Sequence, residues 1–201
     1  MDDGWDRYAD GWDDHEGARA YARAAFASLE SVLDGTGIVL GGAQVVDFGC
    51  GTGLLTERLV DAGSEVVAVD TSPAMLAVLE AKIDRHGWTT VTTTAELADS
   101  PSGNDLIVCS SVCSFLDDYP GTAGQLTALL RPGGVFIQWD WERSEDDHGL
   151  SRSEVTDALR SAGLERVEVE TAFEVEAEGQ TMRPLVGHGR RPVEPVGRRL
   201  S

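Results

Sequence analysis

The sequence predicts an α/β fold built on a doubly wound, mostly parallel sheet, and three observations carry that prediction. Apolar strand patterns alternate with helical ones along most of the 201 residues, and such alternation builds a parallel sheet covered on both faces. Val45-Val46-Asp47-Phe48 runs straight into the glycine-rich turn Gly49-Cys50-Gly51-Thr52-Gly53, and a helical pattern opens just after it. A second apolar run, Val66-Val67-Ala68-Val69, ends in Asp70, 17 residues beyond Gly53. An acid closing the second strand of a β-α-β unit is placed to accept hydrogen bonds from ribose hydroxyls.

The elements follow in order. Residues 1–15 are polar and carry Trp5, Tyr8 and Trp12. The spacing then predicts a helix from Gly17 to Leu33, with Ala22, Phe26, Leu29 and Leu33 on one stripe and glycines as its stop. Strands are expected over Gln44 to Phe48 and Glu65 to Asp70, with a helix over Leu54 to Ala62 between them. Ser72 and Pro73 mark the cap and first turn of a helix that lasts to Arg85 and stops at Gly87. Further strands are expected at Thr90 to Thr93, Leu106 to Cys109 and Val135 to Trp139. Helices are expected at Thr122 to Leu130 and Ser151 to Ala162. The last two strands, Leu164 to Phe173 and Thr181 to His188, have no helix between them, so this edge includes an antiparallel strand. Residues 191–201 read as a flexible tail. The domain proper spans 34–190, with residues 1–33 as an N-terminal segment and helix.

Thirty-five acids against 16 bases give a net charge of −19, and Lys82 is the sequence's only lysine. Such a surface repels nucleic-acid phosphate and anionic lipid, so neither is an expected partner. It resembles the composition of proteins from halophiles, in which strong salt mutes self-repulsion; a GC-rich genome favouring arginine codons is the rival explanation. No apolar run approaches 18 residues and the acidic N-terminus lacks a signal pattern, so a cytoplasmic chain is expected. Cys50, Cys109 and Cys113 read as free buried thiols.

The glycine spacing distinguishes between nucleoside cofactors. A dinucleotide loop wants G-x-G-x-x-G, but Leu54 stands where the third glycine would fall. Asp47 ahead of the loop suits a ligand with a cationic end better than a pyrophosphate. Asp47 to Gly53, Val67 to Leu76 and Leu129 to Ile137 resemble, in order, three motifs of the class I S-adenosylmethionine-dependent methyltransferases. The resemblance covers roughly residues 40–140. It implies a Rossmann-like, seven-stranded sheet, S-adenosylmethionine as cofactor, and methyl transfer to a small-molecule acceptor.

Four segments are expected to meet at the carboxyl ends of the strands. Asp70, with Thr71, is expected on the ribose, and Gly49, Gly51 and Gly53 at close approach to the ligand. Asp47 is expected near the methionine end, or else bracing the loop by accepting backbone amides. Ala95 and Glu96 are expected beside adenine, with Thr94 where the family commonly has an acid. Ser110 is expected to face the methionine moiety. Asp140, with Glu142, Trp139 and Trp141, could line an acceptor pocket. Trp5 to Asp13 resembles the aromatic-acid stretch that precedes the cofactor loop in many small-molecule members. It implies a helical lid that carries Tyr8 and Trp12 over the cofactor. Of the histidines only His15 lies where it could reach a substrate; no general base is evident. A nicotinamide-dependent oxidoreductase and a non-catalytic nucleoside-binding module are the competing readings.

Overall fold

The structure is a computed structural model that describes residues 4–143, 149–177 and 179–193. His148 and the tail beyond residue 193 lie outside the described residues. Among the described residues nine strands and six α-helices follow one another: α1 (Asp6–Ala9), α2 (Glu16–Leu33), β1 (Gln44–Phe48), α3 (Leu54–Asp61), β2 (Glu65–Val69), α4 (Pro73–His86), β3 (Val91–Thr94), β4 (Asn104–Ser110), α5 (Tyr119–Leu129), β5 (Leu130–Trp141), α6 (Arg152–Ser161), β6 (Glu165–Thr171), β7 (Val175–Ala177), β8 (Gln180–Met182) and β9 (Pro184–Arg190).

Seven strands form one sheet in the order β3-β2-β1-β4-β5-β9-β6. The pairs among β1 to β5 are parallel, while β9 runs antiparallel to both β5 and β6. The chain reverses direction across the sheet between β1 and β4, and that switch opens a crevice at the carboxyl ends of the strands. The expected seven-stranded, mostly parallel sheet is therefore present, with its antiparallel member seated between β5 and β6.

Period-two alternation splits the core. Val45, Val66, Leu106, Val108, Ile137 and Trp139 face one side with Leu29 and Leu33 of α2 and Leu55 and Leu59 of α3. Val46, Ile107, Cys109 and Phe136 face the other, with Leu126 of α5 and Val155 and Leu159 of α6. Leu76 and Leu79 of α4 close over Ala68 and Val91. The stripe of α2 is thus part of the core; Leu29 is fully buried.

Two local readings need correction. Helix α5 starts at Tyr119, three residues before the expected Thr122, because Asp118 caps it by accepting from the Gly121 amide at 3.0 Å. Pro120 lies in the first turn, where no intrahelical donor is lost, so it does not break the helix. A separate two-stranded hairpin, β7-β8, precedes β9, whereas the sequence reading ran one strand through Thr181. The lone apolar residues Val175 and Met182, which pair in it, are too few to mark an alternating pattern.

Candidate functional site

The turn after β1 is shaped by its glycines. A Cβ at Gly49 would lie 2.1 Å from Val112 Cγ2, and one at Gly53 would lie 2.5 Å from Leu79 Cδ1. Both therefore let neighbouring side chains pack onto the loop. Gly51 differs: its φ is +53° and a Cβ would meet nothing within 4 Å. The backbone there borders open space. Gly49 and Cys50 amides both donate to the Val69 carbonyl, at 2.7 and 3.0 Å, which ties the turn to the end of β2.

Asp70 stands beside that space. Its carboxylate accepts from the Gly51 amide at 2.8 Å and the Ser72 amide at 2.9 Å. Burial pushes its pKa up, and those two amides pull it back. Each carboxylate oxygen has a second lone pair for a ligand hydroxyl. Thr71 is exposed next to it. Ala95 and Glu96 are exposed after β3, in a turn where the Glu96 amide donates to Thr94 Oγ1 at 3.2 Å. The hydroxyl of Thr94 is thus engaged in holding the turn. Ser110 ends β4, half-buried at the switch point, and Ser111 follows in a left-handed conformation, φ 59°. A non-glycine residue there is uncommon and is held by its surroundings; the Ser111 amide donates to Trp139 O at 2.8 Å.

Two expected residues are placed differently from their sequence reading. Asp47 is 1% exposed and points to the α3 side, beneath the loop. Its Oδ2 accepts from Thr56 Oγ1 at 2.6 Å, while Oδ1 has no partner. Its free oxygen is thus a buried acceptor close to the loop. Burial raises its pKa to about 7. Asp140 is also 1% exposed. It accepts from the Ser114 amide at 2.9 Å and the Trp141 amide at 2.8 Å. Its role is to hold the 113–115 turn in place, and Trp139 beside it is wholly in the core.

The N-terminal segment lies over the loop and is latched by acids that the sequence reading did not single out. Ser72 Oγ donates to Asp6 Oδ1. Thr52 Oγ1 donates to Asp13 Oδ1 at 2.6 Å. Lys82 Nζ lies 2.5 Å from Asp13 Oδ2 and 2.6 Å from Glu57 Oε1. That Lys82 is the only lysine was the available signal: an isolated lysine in so acidic a chain is unlike a solvating charge, and it is 7% exposed. Aromatic rings continue the segment across the crevice. Trp12 and Tyr8 are 6.4 Å apart, Tyr8 and Trp5 5.9 Å, and Trp5 meets Phe115 edge-on at 5.2 Å. Trp5, Tyr8 and Phe115 are three of the five large apolar side chains left exposed among the described residues. Phe115 follows β4, so the rings bridge from the loop to the far wall. His15 is exposed at the start of α2, 6.1 Å from the Trp12 ring.

Comparison with known proteins adds the following. Residues 46–136 match a family model described as a methyltransferase domain. The chain is 33% identical over 102 residues to the ubiquinone biosynthesis O-methyltransferase of Methylococcus capsulatus, covering 49% of this chain and 43% of that protein. It is 35% identical over 119 residues to the trans-aconitate 2-methyltransferase of Variovorax paradoxus, covering 58% and 46%. The chain thus spans less than half the length of these relatives. A chain from the complex between the Haloferax volcanii Trm112 methyltransferase activator and a methyltransferase superposes with a TM-score of 0.73 at 21% identity, covering 96% of this chain and 99% of that one. Magnesium protoporphyrin IX methyltransferase from Synechocystis, with bound S-adenosylmethionine, superposes with a TM-score of 0.65 at 19% identity, covering 86% and 80%.

Proposed function

We propose that residues 46–136, which match a methyltransferase domain model, form a class I S-adenosylmethionine-dependent methyltransferase domain, and that this protein uses it to move a methyl group onto a small-molecule acceptor. The observation that carries the proposal is the open space at Gly51, bordered by the carboxylate of Asp70. A backbone free of Cβ next to a half-buried acid fits a ribose, and the strand order supports a direction for the rest of the ligand. Adenine falls towards Ala95 and Glu96 beyond β2 and β3, and the methionine end towards Ser110 beyond β4.

When bound, the cofactor supplies a methyl group already activated by a positively charged sulfur. The protein's task is to align an acceptor with it for in-line displacement. Trp5, Tyr8, Trp12 and Phe115 form an aromatic wall that excludes water and offers flat surfaces to an apolar acceptor. No general base is needed where the acceptor is nucleophilic as bound. Among the described residues no group of histidine, cysteine and acid side chains is gathered to hold a metal, and no helix is long and apolar enough to cross a membrane.

Calorimetry with S-adenosylhomocysteine and with NAD tests the cofactor. Binding of the first is expected, and Asp70→Ala should weaken it roughly 10- to 150-fold, since hydrogen bonds to a charged group contribute about 1.5–3 kcal/mol. Unchanged affinity in that variant, with the fold intact, sinks the ribose assignment. Methyl uptake from labelled cofactor into cell metabolites separates an enzyme from a module that only binds.

The charge of −19 supports a halophilic setting for this activity. The melting temperature is expected to rise as potassium chloride goes from low to molar concentration, because screening relieves self-repulsion. A flat or falling curve leaves the charge as a composition bias only.

A further inference from the structure

We infer that the acceptor carries a carboxylate on a flat apolar body, and that Arg7 is the residue that selects it. The inference rests on the methyltransferase reading and names the acceptor's chemistry within it. Arg7 lies on α1, beside the aromatic array over the crevice. Its guanidinium packs over the face of the Tyr8 ring, 4.9 Å from the centroid, and its side chain is exposed. Among the described residues no carboxylate closes an ion pair with it.

An unpaired cation is the exception in this chain. Acids outnumber bases 35 to 16, and such a surface turns anions away as a whole. The acids closest to Arg7 in sequence leave its charge unanswered. Asp6 accepts from Ser72 Oγ, and Asp13 is held by Thr52 and Lys82. Asp10 and Asp14 are exposed, and neither pairs with Arg7.

Aromatic rings among acids would also suit an ammonium ligand, which binds on a ring face. Arg7 decides between the two signs of charge. It already occupies a face of Tyr8, and it repels a second cation. A planar guanidinium packed on a ring keeps its outward N–H groups free, and their fork matches the two oxygens of a carboxylate. Trp5 meets both Tyr8 and Phe115, so the rings next to Arg7 offer a flat surface to the apolar body of the same molecule.

Three probes of one shape separate the possibilities. Cinnamate, cinnamyl alcohol and cinnamylammonium share a flat body and differ in the end group. Calorimetry on the protein loaded with S-adenosylhomocysteine is expected to show cinnamate binding more tightly than the other two. Arg7→Gln, with thermal melts as the fold control, should weaken cinnamate roughly tenfold or more and leave cinnamyl alcohol unchanged. A preference for the alcohol or the ammonium, no binding of cinnamate, an unchanged cinnamate affinity in Arg7→Gln, or an equal loss for the alcohol overturns the inference while leaving the cofactor reading in place. A wild type that does not take up S-adenosylhomocysteine overturns the cofactor reading itself, and this inference with it.

Discussion

Asp47→Asn is expected to make the protein more stable at pH 8, with the gain shrinking to nothing as the pH falls towards 4. Asp47 is 1% exposed, one of its oxygens has no partner, and burial raises its pKa from 3.8 to about 7. The hydrogen bond from Thr56 opposes that rise, and the charge of Asp70 adds to it. The folded protein thus binds a proton at Asp47 that the unfolded chain releases at lower pH. The stability this group contributes is fully present below about pH 4 and is lost as the pH rises through about 7. A shift of roughly three units corresponds to about 4 kcal/mol across that window. Asparagine keeps a carbonyl oxygen for Thr56 and carries no charge at any pH, so it removes the loss. Asp70 and Asp140, also raised by burial, act in the same direction and keep a residual slope in the variant. Denaturant melts at pH 4, 6 and 8 measure the difference. Parallel profiles for the two proteins would show that Asp47 ionises freely in the folded state.

That prediction bears on what could be read from the sequence. The strands of the parallel half, the glycine loop and Asp70 were legible because local pattern alone fixes them: a continuous apolar run, a positive-φ turn, an acid at a strand end. The burial of Asp47 was not legible in that way. Its place before the loop suggested a ligand contact, yet side chains alternate along a strand. Residues 45 and 47 share a face, and that face is covered by α3. The burial of Asp140 was not legible either, since β5 is buried on both sides. The covering aromatics Tyr8 and Trp12 were legible as a motif, but their companion Phe115 was not, because contact between residues 5 and 115 depends on the whole fold.

Lys82→Met is expected to unlatch the N-terminal segment and to lower the melting temperature by roughly 4–8 °C. Lys82 is 7% exposed and bridges Asp13, at 2.5 Å, to Glu57, at 2.6 Å. Removing one member of a buried ion pair costs about 3–5 kcal/mol because the partner charge is stranded. Asp13 and Glu57 are about a third exposed, so water offsets part of that cost. About 2 kcal/mol remains, which for a chain of this size converts to the stated shift. Asp13 then keeps only Thr52 as an anchor at the loop, so S-adenosylhomocysteine affinity should fall along with stability. Deleting residues 1–14 removes Asp13 as well, so a deletion mixes loss of the cover with loss of the ion pair. The lone lysine provides a cleaner readout. An amine-reactive reagent has one side-chain target in this sequence, and mass analysis of the peptide bearing Lys82 follows it alone. Modification should be slow in the folded protein and slower still with S-adenosylhomocysteine bound, as the segment spends less time open. A rate equal to that of the unfolded chain, indifferent to ligand, would mean that Lys82 does not clasp the segment and that the cover over the site is held by its aromatic contacts alone.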